Sequence, residues 1–406
     1  MYQLLLLLSL SASPWVVSAQ EADDHLSVST SVQRMAAQIY MEEVKTSAKN
    51  VVISPLSIHM AMSLLLYGAK GNSRRQLEDA LGLEGVEQNS YLEEIKEITE
   101  KYGKLEAESL TLNVANALYV ADDIQVKTDY KDLAEDTFNA DVDNLNFTNS
   151  KQSAEVINRW AADKTNNLIK NLVSEGGLAT DTRMVIMNAV YFKAKWLEPF
   201  DVQNTRKGNF SVPSRVQVET DFMFLSTRLE WAFVRELNAS VVALPYIYED
   251  YKMLVFLPLE SSTVEKLEMA LFNSSKPTMI EEYLEGLEKR ETDLLLPKFT
   301  TGSEMSLVRH FVQLRVTDIF SNEANFTGIT EQDDENISEI VHKTKLKVSE
   351  EGSEAAAATI AFSTKLFIPN PKIILDRPFI FFIFDTANNI PLFMGKIVDP
   401  SDDYVK

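Results

Sequence analysis

Apolar residues recur at intervals of three and four along several stretches of the chain, the spacing of a helix with one buried face. Residues 27–47 show it, which predicts a helix near the start. A second helix is predicted from Pro55, with Ser54 as its N-cap residue. A third is predicted from Ser73, which forms a capping-box pattern with Gln76. Further helices are predicted over residues 127–138, 264–272, 280–287 and 305–312.

Other stretches alternate between apolar and polar residues or are continuously apolar, as strands are. Strands are predicted over residues 51–53, 110–120, 184–193, 231–234, 241–244, 253–257, 293–299, 340–348, 378–384 and 391–397. There is no internal repeat and no strict alternation of strand and helix. We therefore predict a mixed α+β fold with large antiparallel or mixed sheets. No linker-like stretch divides the sequence, so residues 20–406 are expected to form one domain.

The first 19 residues have the pattern of a secretory signal peptide. Leu4 to Leu10 supply a short apolar segment, and Val17-Ser18-Ala19 fits a cleavage site. The sequence has no cysteine, which excludes disulfides and thiol chemistry, so its stability must come from a large core. We expect a secreted, extracellular glycoprotein. Six asparagines lie in glycosylation sequons: Asn146, Asn209, Asn238, Asn273, Asn325 and Asn336.

Charge narrows the classes of partner. The formal net charge is −21 and the isoelectric point is near 4.7, which disfavours nucleic acid and anionic membranes. The longest basic run is a pair such as Arg74-Arg75, so dependence on heparin is not expected. The four histidines are not at metal-ligand spacing, and no hydrolase, metalloprotease or nucleotide-binding motif is present. We expect no metal, no cofactor and no enzymatic activity.

The segment 350–360 can be interpreted in two ways. Taken locally it predicts a helix, with Ser353 as N-cap, Glu354 in the first turn and then four alanines. It ends, however, 46 residues before the end of the chain, ahead of strongly apolar strands. Small residues at that place are also what a segment needs if it is to change from loop to strand.

Several motifs, in order along the chain, resemble the serpin family. The matching stretches are Asn50 to Ile58, Gly68 to Gly71, Asn188 to Lys193 with Trp196 and Phe200, Leu296 to Phe299, Ala324 to Gly328, Glu350 to Thr359, Asp376 to Phe379 and Phe393 to Lys396. So many matches in the family's order make coincidence a poor explanation. The resemblance implies three β-sheets, eight or nine helices and an exposed reactive-centre loop at about residues 350–370.

The resemblance also implies a mechanism. Inhibitory serpins trap serine or cysteine proteases as a covalent acyl-enzyme, and the cleaved loop then inserts into the central sheet. We therefore expect an extracellular serine protease of the chymotrypsin-, elastase- or trypsin-like class as partner, and a monomeric inhibitor. A cysteine-protease target, or a carrier or storage serpin that does not inhibit, are the alternatives.

The hinge of the loop fits the inhibitory interpretation. It comprises Glu350, Glu351, Gly352, Ser353, Glu354, Ala355, Ala356, Ala357, Ala358 and Thr359. A strand that enters a packed sheet needs small, proline-free residues on its inward face. Because side chains of a strand alternate, Ser353, Ala355 and Ala357 would face inward together and leave Glu354 in solvent.

Family spacing places the reactive bond fourteen residues after Gly352, between Leu366 and Phe367. That bond suits a protease with an apolar primary pocket. The neighbouring bond, Lys365–Leu366, suits a trypsin-like enzyme with an acidic pocket. Leu366–Phe367 ranks first.

Other residues match two switch regions of the family. The resemblance assigns Ser54, Ser57, Asn188 and His342 to the shutter, a hydrogen-bonded cluster where the central strands separate. It assigns Trp196, Lys298 and Glu350 to the breach, where insertion starts, with a salt bridge between Lys298 and Glu350.

Overall fold

The computed structural model describes residues 27–402, except 104, 108, 214–216, 273–278, 333–334 and 353–369. The helices in this part of the chain are α1 Val28–Val44, α2 Pro55–Gly68, α3 Gly71–Leu81, α4 Gln88–Gly103, α5 Thr128–Phe138, α6 Ser150–Lys164, α7 Val264–Leu271, α8 Ile280–Leu284 and α9 Val308–Gln313. The strands are β1 Val51–Ile53, β2 Glu106–Ala107, β3 Leu110–Ala121, β4 Ala140–Leu145, β5 Met184–Ala194, β6 Arg206–Ser211, β7 Gln217–Val234, β8 Ala239–Pro245, β9 Tyr251–Pro258, β10 Glu288–Pro297, β11 Phe299–Ser306, β12 Ile337–Val348, β13 Lys372–Ile374, β14 Phe379–Asp385 and β15 Ile390–Ile397. The predicted mixed α+β class is confirmed.

The six-stranded sheet has the order β11-β12-β5-β3-β2, with β4 paired to β3. Its central neighbours, β12 and β5, are parallel, whereas β11 and β3 flank them antiparallel. Because β12 follows β5 by more than a hundred residues, this pairing joins distant parts of the chain. The junction between β5 and β12 is called the seam below.

The nine-stranded sheet is continuous only through the long strand β7. Residues 230–234 of β7 pair with β8, whereas residues 222–231 pair with β10. β7 therefore links the group β1-β15-β14-β9-β8 to the group β10-β13, with β6 alongside. Together with the six-stranded sheet, these are the three groups of strands that the resemblance implies.

The core lies between these sheets and the helices packed on them. Every residue of α2 is buried, in agreement with its largely apolar sequence. The strands β14 and β15 are also buried along their whole length, so both faces of this hairpin contact core side chains. An apolar residue at nearly every position, rather than at alternate ones, is the sequence signal for such double burial.

One predicted helix cap is confirmed in position and the other is wrong. Ser54 is the N-cap residue of α2, as predicted, but its hydroxyl donates to Leu392 O (2.7 Å) instead of accepting from the first turn of the helix. Helix α3 begins at Gly71, so Ser73 lies inside it and accepts from Asn325 N (3.0 Å). Both serines satisfy tertiary hydrogen bonds that a local capping pattern does not reveal.

Several element bounds also differ from the predictions. Residues 305–306 belong to strand β11, and the helix that was predicted from 305 begins at Val308. The predicted strand 231–234 is the end of an 18-residue strand, β7. Helices α4 and α6, at 88–103 and 150–164, were not predicted, because most of their residues are polar. Among the described residues, no helix is long and apolar enough to cross a membrane.

Candidate functional site

The seam is closed along most of its length but open at one end. Direct pairs run from Ile337 and Met184 to Lys345 and Tyr191. Beyond that point the last residues of β12 pair only with β11, and the last residues of β5 pair only with β3. Two adjacent strands therefore diverge at the end from which the segment after β12 departs.

The four predicted shutter residues lie together at the middle of the seam. Asn188 and His342 are register partners across it, and His342 Nδ1 is hydrogen bonded to Asn188 Oδ1. The Ser57 hydroxyl donates to the same Asn188 oxygen (2.9 Å), and Ser54 N donates to His342 Nε2 (3.2 Å). All four residues are buried, so this cluster ties α2 and its N-terminus to both strands of the seam.

The hydrogen bonds of His342 require its neutral form. Nε2 accepts a hydrogen bond from the backbone N–H of Ser54, so Nδ1 carries the ring hydrogen and donates it to Asn188 Oδ1. Burial lowers the pKa of His342 to about 3, with a smaller contribution in the same direction from His310. His342 is therefore uncharged at neutral pH.

The structure adds Asn116 to this cluster. Asn116 on β3 is the register partner of Asn188, and Asn188 Nδ2 donates to Asn116 Oδ1 (2.6 Å). A row of three polar side chains thus crosses β3, β5 and β12. Asn116 Nδ2 is buried and has no hydrogen-bond partner among the described residues. Its position in a strand of mixed pattern gave no sequence signal for this contact.

The predicted salt bridge at the open end of the seam is present. Lys298 Nζ lies 2.9 Å from Glu350 Oε2, and the side chain of Glu350 is only 6% exposed, against 38% for Lys298. Thr205 also donates its hydroxyl to Glu350 Oε1 (2.9 Å). Burial alone would raise the pKa of Glu350, but the hydrogen bonds from Lys298, its own backbone N–H and Thr205 together lower it.

Trp196 fixes the backbone of the same segment. Its indole N–H donates to Ser349 O (2.9 Å), and its backbone N–H donates to Glu351 O (2.8 Å). The ring stacks on Tyr246 with a centroid separation of 4.6 Å and an interplanar angle of 6°. Of the three residues predicted for the breach, Glu350 therefore belongs to the segment 349–352, and Lys298 and Trp196 contact that segment.

Gly352 occupies the mouth between the two diverging strands. It forms a turn with Ser349 and an antiparallel bridge to Lys195, the residue after β5. Its φ is +138°, and a Cβ atom there would lie 1.9 Å from Ala194 O. Only glycine fits this backbone conformation and this close approach.

Some of the other predicted positions lie outside the described residues, and the rest lie within them. Ser353 to Thr359, Lys365, Leu366, Phe367, Asn273 and the signal peptide, residues 1–19, lie outside the described residues. The remaining sequon asparagines are described: Asn146 and Asn209 are exposed, and Asn238, Asn325 and Asn336 are partly exposed. The described residues contain no group of His, Asp and Glu that could hold a metal ion.

Comparison with known proteins identifies this architecture. A family model described as Serpin (serine protease inhibitor) matches residues 30–400. The chain belongs to the serpin family. Mouse neuroserpin is 31% identical to this serpin over 363 residues, covering 87% of this chain and 86% of the relative.

Solved structures of serpins agree with the fold. Serpin48 of the insect Tenebrio molitor, described as a highly specific serpin, superposes with a TM-score of 0.81 at 29% identity, covering 92% of this chain and 98% of its own. Human thyroxine-binding globulin in complex with thyroxine superposes with a TM-score of 0.82 at 25% identity, covering 92% of this chain and 99% of its own. This serpin thus resembles both a protein described as a highly specific serpin and one solved in complex with thyroxine.

A cavity beside α1 is relevant to whether this serpin could bind a small molecule. It has a volume of about 590 Å³ and lies between α1, α7 and α9. Apolar side chains from separate elements line it, among them Met41, Phe272 and Leu314, and Gln33 and Gln38 add amide groups. It lies apart from the seam residues, and its lining fits a small, mostly apolar molecule.

Proposed function

We propose that this serpin is a secreted suicide inhibitor of an extracellular serine protease. The protease would attack the loop after Gly352, form an acyl-enzyme, and be carried along as the cleaved loop inserts into the seam. The observation that carries the proposal is the seam itself. Two parallel strands diverge at one end, and the start of the loop is bonded between them.

The register of the two bridges at Gly352 predicts which residues an inserted loop would face. The Lys195–Gly352 bridge is antiparallel, so each step forward along the loop would correspond to one step back along β5. Counting in the same way from the Ser349–Gly352 bridge gives the partner on β12. The two counts agree at every direct pair from Glu339 and Val185 to Lys345 and Tyr191. An inserted strand would therefore be in register with both neighbours at once.

The single charge of the hinge fits this register. Residue 354 would lie opposite Lys193 on β5 and Lys347 on β12. Directly opposed residues in a sheet point to the same face, and both lysines are at least partly exposed. Glu354 would thus reach the solvent face between two opposite charges, whereas Ser353, Ala355 and Ala357 would enter the buried face.

The length of the loop also fits. Fourteen steps separate Gly352 from Leu366, which is roughly 46 Å for an extended strand at about 3.3 Å per residue. Insertion over that length would displace a bound protease along most of the six-stranded sheet. Leu366–Phe367 is the proposed reactive bond, with Lys365–Leu366 as the second choice.

Incubation with chymotrypsin, elastase and trypsin tests the mechanism. We expect a complex that resists boiling in detergent with at least one enzyme, and a released C-terminal peptide. A peptide that begins at Phe367 supports the first bond, and one that begins at Leu366 supports the second. Quantitative cleavage by all three enzymes without a stable complex would overturn the proposal. A papain-like enzyme in the panel tests the alternative target class.

A carrier function is the second candidate, and the cavity beside α1 favours it. Thyroxine is a suitable probe because a structural neighbour is described in complex with it. Saturable binding of thyroxine, together with cleavage that forms no stable complex, would support a carrier. Formation of a stable protease complex without thyroxine binding would exclude it.

Secretion and glycosylation complete the proposal. Asn146 and Asn209 are exposed, so both can accept a glycan without rearrangement of the fold. We expect the protein to appear in the medium of expressing eukaryotic cells and to lose mass on enzymatic deglycosylation. Retention of the whole product inside the cells would overturn this part.

A further inference from the structure

A second tie crosses the seam at its closed end. Arg183 immediately precedes β5, and Glu335 lies two residues before β12. The guanidinium group is bidentate to the carboxylate, with Nε 2.7 Å from Oε2 and Nη2 2.8 Å from Oε1. The side chain of Glu335 is only 10% exposed. Two parallel, charge-assisted hydrogen bonds to a mostly buried carboxylate are a specific and comparatively strong contact.

Arg183 has further partners, but these differ in where they lie. Its Nη1 is 3.0 Å from Asp123 Oδ1, and Asp123 follows β3, on the same side of the seam as β5. The side chain of Asp123 is 64% exposed. The backbone N–H of Arg183 also donates to Ser338 Oγ (3.0 Å) on β12. Removing Asp123 therefore takes one partner from Arg183 without cutting a tie across the seam.

The inserted register predicts when this contact must break. Continued from the Lys195–Gly352 bridge, residue 364 would lie opposite Arg183. On β12 the register is counted from the Ser349–Gly352 bridge, and it shifts by one residue at the irregularity between Ile337 and Glu339. With that shift, residue 365 would lie opposite Glu335. An inserted strand doubles the separation of its neighbours from about 4.8 Å to about 9.6 Å. The bidentate contact cannot span the larger distance without rearrangement.

We propose that Arg183 and Glu335 form an ionic latch that the last inserted loop residues must open. The latch restrains completion of insertion and leaves its start unaffected. Residues 353–359 fill only the part of the seam between its mouth and His342, whereas residues 360–366 reach the latch. This inference rests on the proposed function, because it assigns a role to residues in the same insertion step.

Uptake of synthetic loop peptides by the uncleaved, full-length protein separates the two stages. A fluorescein-labelled peptide of residues 353–359 ends before the latch, and one of residues 353–366 passes it. The rate of uptake is followed by fluorescence anisotropy and confirmed by the rise in thermal midpoint. The variant is Glu335→Gln, which keeps the shape of the side chain, and the matched control is Asp123→Asn.

We expect Glu335→Gln to accelerate uptake of the long peptide about fivefold, the effect of an ion pair worth roughly 1 kcal/mol. Uptake of the short peptide should not change, and Asp123→Asn should leave both rates as in the parent. The double variant Arg183→Glu with Glu335→Arg restores the charge pair and should return the long-peptide rate toward the parent value. If Glu335→Gln does not fold, Arg183→Gln removes the same ion pair from the other side and should likewise accelerate only the long peptide.

Equal acceleration of both peptides by Glu335→Gln would overturn the latch, since it would indicate general loosening of the sheet. So would an unchanged rate for the long peptide, or an effect of Asp123→Asn as large as that of Glu335→Gln. Failure of the parent protein to take up either peptide, together with the absence of a stable protease complex, would contradict the proposed function and the latch with it. A parent protein that forms the complex while Glu335→Gln has no length-dependent effect contradicts the latch alone.

Discussion

His342 and Asn188 face each other across the seam, and a hydrogen bond joins their buried side chains. The same register that aligns the seam would place Thr359 between these two residues in an inserted strand. Insertion to that depth must therefore break the direct contact. The inserted threonine would offer a hydroxyl to the imidazole and amide groups in its place.

Replacement of His342 by alanine should make the seam easier to open. It removes the bonds to Asn188 and Ser54 N and leaves a cavity, so we expect the free energy of unfolding to fall by about 2–4 kcal/mol. Uptake of the peptide 353–359 should become faster because the contact at the middle of the seam is gone. Urea unfolding and peptide anisotropy measure the two effects.

His59→Ala is the matched control. His59 is also fully buried, but its ring contacts the hydroxyls of Ser31 (2.7 Å) and Tyr91 (3.0 Å) away from the seam. It should lose a similar amount of stability without the same gain in peptide uptake. Equal acceleration by both variants would show that lost stability, rather than the seam contact, controls uptake.

The pH dependence of stability should carry the signature of these two histidines. Burial lowers the pKa of His342, and also that of His59, to about 3 from the usual value of 6.5. Between those values the unfolded chain binds more protons than the folded protein, so stability rises with pH and falls as the solution is acidified. On going from pH 7 to pH 5, each of these buried histidines lowers the free energy of unfolding by about 2 kcal/mol.

Urea unfolding of the parent and of His342→Gln between pH 7.5 and pH 5 measures this slope. Because only His59 remains in the variant, its free energy of unfolding should fall by about half as much from these histidines as that of the parent. The window stays above the ordinary range of carboxyl titration, including Glu350, whose lowered pKa makes it titrate further down. Identical slopes for the parent and the variant would contradict the assignment.

The resemblance could find the shutter residues, but spacing alone could not. Ser54 and His342 are 288 positions apart, and no local period relates them. Asn116, Arg183 and Glu335 were missed for the same reason, because each acquires its partner only when β3, β5 and β12 come together. A polar residue in or beside a strand does not reveal which neighbour it will face.

Local patterns predicted elements well where an element is apolar along almost its whole length. The hairpin β14–β15 and helix α2 are examples, since continuous apolar residues mark full burial. Helices α4 and α6 were missed because few of their residues are buried and the polar majority hides the period. Ser73 was misassigned as a cap because its hydroxyl contacts the backbone of Asn325, a partner distant in sequence.

Gly352→Ala should disturb the mouth of the seam. The added Cβ would lie 1.9 Å from Ala194 O and 2.6 Å from Lys195 Cα, and alanine disfavours a φ of +138°. The turn must shift, so we expect a loss of about 1–3 kcal/mol in stability and a higher ratio of inhibitor consumed per protease trapped. Gly286→Ala is the control, since no atom lies within 4 Å of a Cβ there. A Gly352→Ala protein that matches the control in both assays would contradict the close approach.

The Lys298–Glu350 pair should behave as a partly buried ion pair whose acid depends on its base. Lys298→Met leaves the mostly buried carboxylate with only Thr205 and backbone donors, whereas Glu350→Gln keeps the shape of the side chain and removes its charge. We therefore expect the lysine variant to lose about 1–3 kcal/mol of unfolding free energy, and the glutamine variant less. The double variant Lys298→Met with Glu350→Gln should be more stable than Lys298→Met alone, because the unpaired charge is gone. Urea unfolding of the four proteins gives the coupling energy. If the two single losses simply add, the ion pair contributes nothing specific to the mouth of the seam, and its place in the insertion mechanism has to be abandoned.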